Sequence, residues 1–326
     1  MLKQFAWLSR HIECSAVLGV ILLAVFFTIG TRGLWIMSLP GIIVLTAQVG
    51  IIAIGQALLM IAGEFDLSVG SVFAFAGVVF ISMMDLGLGV LVAFLIAVVL
   101  SGAIGAVNGV FTVRFKVPSM IVTLGAMFVY RGLVYIMTRG MGLHIPHGAR
   151  GSVLVELLGG SPLGFSSSIV LLIFITAVFS VVLSMTRFGN HLFAVGADPR
   201  SAKSCGVSIF KTKLIAFILC SALAGLAGIM VTCQESTVYA STGKNAELES
   251  IVAAVVGGCA LSGGIGSVWG TVIGAFIMSS LRGGLLMMGA PSYWYITFVG
   301  MILIVFMVLS RQIGGLYGMS GQNGKD

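Results

Sequence analysis

Long apolar runs constrain this chain more than any other feature of its sequence. A run of about 18 or more apolar residues is typical of a membrane span. Such runs recur along the 326 residues, of which 59% are hydrophobic and only 8% are charged. No soluble fold stays in solution with so little charge. The pattern therefore predicts an integral membrane protein, an all-α, polytopic bundle of helices in which residues 1–326 form a single domain.

Ten helical segments are predicted. They cover residues 15–29, 39–62, 69–84, 88–113, 119–138, 166–185, 214–232, 248–261, 267–281 and 292–309. The first follows Lys3 and Arg10 as a signal peptide would, but no small-residue cleavage site follows Ile29, so we interpret it as a span. The eighth is too short for a simple crossing, which needs about 20 residues. We interpret it as a re-entrant or a strongly buried segment.

The basic residues predict the orientation. With ten crossings, eleven Lys and Arg side chains fall on the side of the N-terminus and five on the other side. Because cytoplasmic loops carry the excess of basic residues, both termini are predicted to lie in the cytoplasm. The same bias explains the net charge of +7 without nucleic acid as a partner. The lipid bilayer is the predicted surroundings.

Glycines spaced four residues apart predict close contacts between helices. Gly105 and Gly109 show this spacing, as do Gly266, Gly270 and Gly274. Residues four apart share one helix face, and glycine lets backbones approach closely there. A faint internal echo accompanies them, since residues 63–77 and 262–276 each place a glycine-rich polar break before a helix.

Polar residues inside predicted spans are the candidates for a translocation path. They are Gln48, Gln56, Asn108 and Arg131. Polar side chains in a membrane are expensive and often functional, but they also hydrogen-bond helices together. For Arg131 a pairing or packing role is preferred to contact with a solute. Glu64 and Asp66, between the second and third segments, suit the start of a helix.

The sequence predicts no catalytic residues, no metal site and no cofactor. It has no Gly-Lys-Ser/Thr phosphate loop, so the chain does not bind ATP by that route. His144 and His147 lie in a loop interrupted by Pro146, and the five cysteines are scattered without metal-ligand spacing. A transporter without a nucleotide site must receive its free energy from elsewhere.

The largest basic segment of the chain, residues 187–213, is the predicted lever. Within it, Asp198-Pro199 is a helix start and Gly206 a helix stop. An exposed cytoplasmic helix of this kind suits a partner that pushes on the bundle. The plainer alternatives are that the basic residues fix the topology or contact anionic lipids.

The chain resembles the membrane subunits of bacterial ABC importers for ribose and related simple sugars. The motif G-x-x-D-L-S-V-G-S is matched by Gly63, Asp66, Leu67, Ser68, Val69, Gly70 and Ser71. Further matches follow in order at 108–109, 117–125, 131–132, 186–189 and 257–268. The ordered series extends from about residue 40 to 310, and it is the series, more than any single motif, that carries the resemblance.

The resemblance implies the partners. Such permeases pair as homodimers or pseudo-dimers, dock two ATPase subunits in the cytoplasm and receive sugar from a periplasmic binding protein. The family's ATPase-contacting pattern, G-x-N-P-E-A-A-R-x-S-G, is matched at 196–206 by Gly196, Asp198, Pro199, Arg200, Ser201, Ala202, Lys203 and Gly206. Arg200 stands where the family usually has Glu, and Ser201 where it has Ala.

The implied function is import of a pentose, hexose or sugar-like polyol. Two rivals stay open on the sequence. One is an ABC permease for a non-sugar such as a branched amino acid or a nucleoside. The other is an ion-coupled transporter or channel, which predicts paired acids within the spans. The predicted segments place no such pair in mid-span.

Overall fold

The protein is a bundle of helices, described here from a computed structural model over residues 12–161, 164–291 and 293–305. Its helices are α1 (Ile12–Gly30), α2 (Leu34–Met37), α3 (Leu39–Ile61), α4 (Val69–Asp85), α5 (Val90–Val113), α6 (Ser119–Thr138), α7 (His147–Arg150), α8 (Val153–Gly159), α9 (Ser167–Met185), α10 (Arg187–Ala197), α11 (Pro199–Ser204), α12 (Ile209–Glu235), α13 (Ala246–Val256), α14 (Val268–Met287) and α15 (Tyr293–Val305). Two short strands, β1 (Leu143–His144) and β2 (Thr237–Val238), pair antiparallel.

Most of the predicted segments are confirmed. Six of the described helices, α3, α5, α6, α9, α12 and α14, are long and apolar enough to span a membrane by length and composition. Shorter apolar helices occur at α4, at α15 and over residues 19–30 of α1. The helix 119–138 agrees with its predicted bounds, and the end of the tenth segment, after residue 305, lies outside the described residues.

Helix α12 forms the centre of the bundle and packs against α3, α4 and α5. Glycines at the contacts let the backbones of these helices approach closely. A methyl group at Gly228 would lie 1.9 Å from the carbonyl oxygen of Phe73, and one at Gly105 would lie 2.3 Å from that of Phe217. The predicted role of the glycine spacing is therefore confirmed for these helices. The core around α12 is apolar, with Leu58, Phe217 and Ala224 fully buried.

The short helix α13 runs antiparallel to α14. Glu249 faces Arg282 near the end of α14, whereas Gly257 contacts Gly270 near its start. The loop after α13 continues in the same direction, since the amide of Gly264 donates to the carbonyl of Ile61, the last residue of α3 (2.9 Å). The eighth predicted segment is thus 11 residues of helix followed by a glycine-rich loop, which together take the chain to the end of the bundle where α3 ends.

Two connections that the sequence predicts as polar loops, 139–165 and 233–248, contain structure of their own. They meet in the two-stranded sheet, where Leu143 pairs with Val238 and His144 with Thr237. The loop after β2 then folds inward, and Gly243 contacts Phe73 and the backbone of Gly70 in α4. The interior of the bundle therefore contains irregular backbone as well as helix.

Candidate functional site

Helix α11 begins where the sequence predicts. Pro199 occupies its first turn, and Asp198 caps it by accepting hydrogen bonds from the amide of Arg200 (2.9 Å) and the hydroxyl of Ser201 (2.6 Å). These bonds, first of all the one from Ser201, hold the pKa of the exposed Asp198 carboxyl below its usual value. The cap stays ionised at neutral pH and suits the positive end of the helix.

The same helix ends at the predicted glycine. Gly206 has a φ of 82°, and its amide donates to Lys203 while the next amide, of Val207, donates to Ala202 (both 3.0 Å). This pair of bonds is the Schellman motif, which needs a residue in the left-handed conformation. Asp198 and Gly206 therefore define a short, well-terminated helix.

Helix α11 presents its basic side chains outward. Ala202 is buried at 4% exposure, whereas Arg200, Ser201 and Lys203 are exposed. Within the described part of the chain, the ion pairs are Lys213 with Glu64 and Arg282 with Glu249, and neither includes Arg200 or Lys203. These two cations are available to a partner outside the chain.

Gly196 anchors this segment to the bundle. A methyl group there would lie 1.7 Å from the carbonyl oxygen of Ile61 and 2.6 Å from the amide of Gly264. Gly263 in turn lies against Gly63 and Gly196. We call Gly63, Gly196, Gly263 and Gly264 the glycine junction. It joins the end of α10, the end of α3 and the loop before α14 by direct backbone contact, and it brings together the two glycine-rich breaks of the internal echo.

Part of this arrangement is absent from the sequence interpretation. The stretch before Asp198 is a second helix, α10, whose cap, Thr186, accepts from the amide of Gly189 (3.3 Å). The signal for it was present in Thr186-Arg187-Phe188-Gly189, a capping residue ahead of a mixed apolar and polar stretch. The contact between Gly196 and the loop 263–264 carries no sequence signal, because it joins positions far apart in the chain.

The Asp66 motif is a buried hydrogen-bonding centre. Asp66 is fully buried, and its carboxylate accepts from the amide and hydroxyl of Ser68 (2.7 and 2.6 Å) and from the hydroxyl of Ser221 in α12 (3.2 Å). A buried carboxylate is tolerated only with such partners. The motif residues form the inward-folded break between α3 and α4, and Ser71 adds a bond to the carbonyl of Met127 in α6 (2.9 Å).

Two of the predicted path residues hold this motif. Gln56 donates to the carbonyl of Asp66 (2.9 Å) and accepts from the thiol of Cys220 (3.3 Å). Asn108 donates to the hydroxyl of Ser68 (3.0 Å). Both side chains are buried, at 0% and 1% exposure, so in this conformation they face the motif and not open space. Their contacts link α3 and α5 to the same break.

Arg131 clasps the inward loop after β2 to the first turn of α4. Its guanidinium donates to the carbonyls of Ala240 (3.1 Å), Thr242 (2.7 Å) and Gly70 (2.9 Å). It thereby holds the loop after β2 against the start of α4. Irregular backbone within a membrane bundle is tolerated where it is buried in protein or lines a cavity, and broken helices of this kind form the sites of many transporters.

The remaining polar residues lie apart from this clasp. Gln48 donates to the side chain of Gln234 (3.1 Å), which joins α3 to α12. Lys213 forms an ion pair with Glu64 (2.5 Å) that fastens the start of α12 to the loop beside the glycine junction. The four predicted path residues therefore do not converge on one pocket. Gln56 and Asn108 meet at Asp66 and Ser68, Arg131 contacts the same motif at the carbonyl of Gly70, and Gln48 has a separate partner.

Comparisons with known proteins agree with this architecture. A family model described as "Branched-chain amino acid transport system / permease component" matches residues 38–307. The ribose import permease protein RbsC of Escherichia coli K12 is 31% identical over 94% of this chain and 95% of its own. The L-arabinose ABC transporter permease protein AraH of Azospirillum brasilense is 32% identical over 84% and 80%.

A third relative is the autoinducer 2 import system permease protein LsrC of Photorhabdus luminescens, 27% identical over 94% of this chain and 92% of its own. No solved structure matches the chain. The family match covers far more than half of the sequence and includes the motif, the Arg131 clasp and helix α11. The chain belongs to the family of membrane permease components of branched-chain amino acid and related transport systems.

Proposed function

We propose that this chain is the permease subunit of an ATP-binding-cassette importer that moves a simple sugar across the bacterial inner membrane. The observation that carries the proposal is helix α11, which presents unpaired basic side chains outward and is fixed to the bundle by the glycine junction. Relatives named for import of ribose and transport of L-arabinose support the sugar.

The proposed partners are two ATPase subunits, a periplasmic sugar-binding protein and a second permease copy or a related permease. The end of the bundle that holds α11 then faces the cytoplasm. Closure of the ATPases on ATP displaces α10 and α11, and Gly196 passes this movement to α3 and to the loop before α14. Such coupling needs a bundle with two arrangements that the partners favour unequally.

The proposed docking role is tested by exchanging one exposed cation. We expect Lys203→Glu to lower ATP hydrolysis stimulated by the binding protein about tenfold or more, because it reverses a charge at the contact. Lys211→Glu is the matched control, since Lys211 is also exposed and basic but lies past the helix stop. Equal activity and equal co-purification of the ATPase in both variants would refute docking through residues 196–206.

The substrate is tested separately. The family description names branched-chain amino acids, so an amino acid is the second candidate. We expect the binding protein loaded with a simple sugar to stimulate ATP hydrolysis by the complex, and the protein offered leucine to leave it at the basal rate. Stimulation by leucine and not by sugars would replace the sugar with the amino acid. Sugar uptake by the chain without any ATPase would instead favour the ion-coupled rival.

A further inference from the structure

A cleft of about 310 Å³ opens between α13, α14 and α15. Its polar lining includes Lys244, Asn245, Glu249, Arg282 and Tyr295. Sites for small molecules have volumes of about 300–1,000 Å³ and combine apolar walls with a few placed polar groups. This cleft lies at the lower end of that range, which suits a ligand the size of one sugar ring.

The cleft contains a loose charge pair. Arg282 Nη1 lies 3.9 Å from Glu249 Oε1, beyond hydrogen-bonding distance. The Glu249 side chain is 11% exposed and that of Arg282 is 48% exposed. The guanidinium also lies 5.7 Å from the centre of the Tyr295 ring. Glu249 also has the side chain of Tyr295 as a hydrogen-bond partner, and both charged groups keep hydrogen-bonding capacity that a ligand between or beside them can use.

The wall of the cleft formed by Lys244 and Asn245 is connected along the chain to the interior of the bundle. Lys244 lies two residues after Thr242, whose carbonyl accepts from Arg131, and Glu247, between Asn245 and Glu249, lies against Gly70. Arg282 is 14 residues along α14 from its start at Val268, and thus about 21 Å from the end that holds the glycine junction. The cleft is therefore in the half of the bundle away from α11.

We infer that this cleft binds the transported solute in the outer half of the bundle, as a neutral, hydroxyl-bearing ring. This inference rests on the proposed function. Carboxylate oxygens accept from sugar hydroxyls, guanidinium groups donate to them, and charge-assisted bonds of this kind are strong. The exposed ring of Tyr293 supplies a flat apolar face for the C–H side of the ring. The solute released by the binding protein reaches this cleft before it passes the Arg131 clasp.

The test uses the full complex in proteoliposomes, with D-ribose on its binding protein as the probe. Radiolabelled uptake and ATP hydrolysis are measured together at increasing concentrations of loaded binding protein. In Glu249→Gln we expect the sugar imported per ATP to fall at least about fivefold, with no change in the binding-protein concentration that gives half-maximal hydrolysis. Glu156→Gln, an exposed acid on α8, is the control and retains the wild-type ratio.

Tyr293→Ala is a second variant in the same cleft. Because Tyr293 is 67% exposed, this change is expected to leave the fold intact. We expect the ratio to fall in this variant too. Unchanged ratios in both variants overturn the inference. A raised half-maximal concentration at an unchanged ratio also overturns it, since the cleft would then contact the binding protein and not the solute. If the wild-type complex shows neither stimulated ATP hydrolysis nor sugar uptake, the result counts against the proposed function itself.

Discussion

Asp66 illustrates how one residue can organise a motif. The carboxylate is fully buried between α3, α5 and α12 and has partners on both oxygens. Its neighbours Gln56 and Asn108 hold the backbone and the serine that surround it. The short break between α3 and α4 is thereby tied to three helices, so a change at Asp66 reaches all of them.

Replacing Asp66 therefore tests this network. We expect Asp66→Ala to lower the free energy of unfolding by about 3 kcal/mol, because the amide of Ser68 and the hydroxyl of Ser221 lose their acceptor while still buried. The comparison variant is Ser221→Ala, which removes only one bond and is expected to cost about 1 kcal/mol. Thermal unfolding in detergent gives both values. Equal losses in the two variants would contradict the central position of Asp66.

Gly196 is the residue on which mechanical coupling depends. A methyl group at this position would overlap the carbonyl oxygen of Ile61. Forcing extra volume into a tight contact typically costs about 1–3 kcal/mol, so Gly196→Ala is expected to lower the thermal stability and to reduce uptake for each ATP hydrolysed. Gly125→Ala is the control, since nothing lies within 4 Å of a methyl group there. If both alanines behave alike, the glycine junction does not transmit movement.

The sequence identifies the polar residues of the site but does not show which groups surround them. Gln56 and Asn108 were recognised as polar residues in apolar helices, and the structure gives them partners in the motif. Asp66 is predicted to start a helix between two spans, but it is fully buried because the break that contains it folds inward. Inward folding depends on contacts between distant loops, which hydropathy does not encode.

At the scale of elements, the helices follow their local signals. Helix α11 starts at Asp198-Pro199 and stops at Gly206, as predicted, because capping is decided by neighbouring residues. The length of the eighth predicted segment indicates a re-entrant or a strongly buried segment. The structure shows an 11-residue helix, α13, continued by a glycine-rich loop. The pairing of β1 with β2 could not be predicted, since two residues per strand give no periodic pattern.

The Arg131 clasp is a prediction at this scale. We expect Arg131→Met to release the loop after β2, because the carbonyls of Ala240 and Thr242 lose their donor. Amide exchange measured by mass spectrometry should then rise several-fold over residues 236–245 and stay unchanged in α3, where few contacts are altered. Arg139→Met, at the exposed end of the same helix, serves as the control. Equal amide exchange over residues 236–245 in Arg131→Met and Arg139→Met would show that Arg131 does not hold the loop.

At the scale of the whole molecule, the described part of the bundle divides into two halves. The end with the glycine junction contains α10, α11 and the Glu64–Lys213 ion pair. The other half contains the cleft beside Arg282, and the Asp66 motif and the Arg131 clasp lie between them. The order of the long apolar helices was predictable from apolar runs. The division into two halves was not, because it depends on which loops meet inside.

Docking of an ATPase on α11 is the central claim, and Cys205 offers a direct measurement of it. Cys205 is exposed at the end of α11, whereas Cys220, Cys233 and Cys259 are buried. In a Cys14→Ser background, maleimide labelling of Cys205 is followed in the isolated permease and in its complex with the ATPase. We predict at least about tenfold slower labelling in the complex, because a docked protein excludes solvent from the contact. Labelling at the same rate in both would contradict the account.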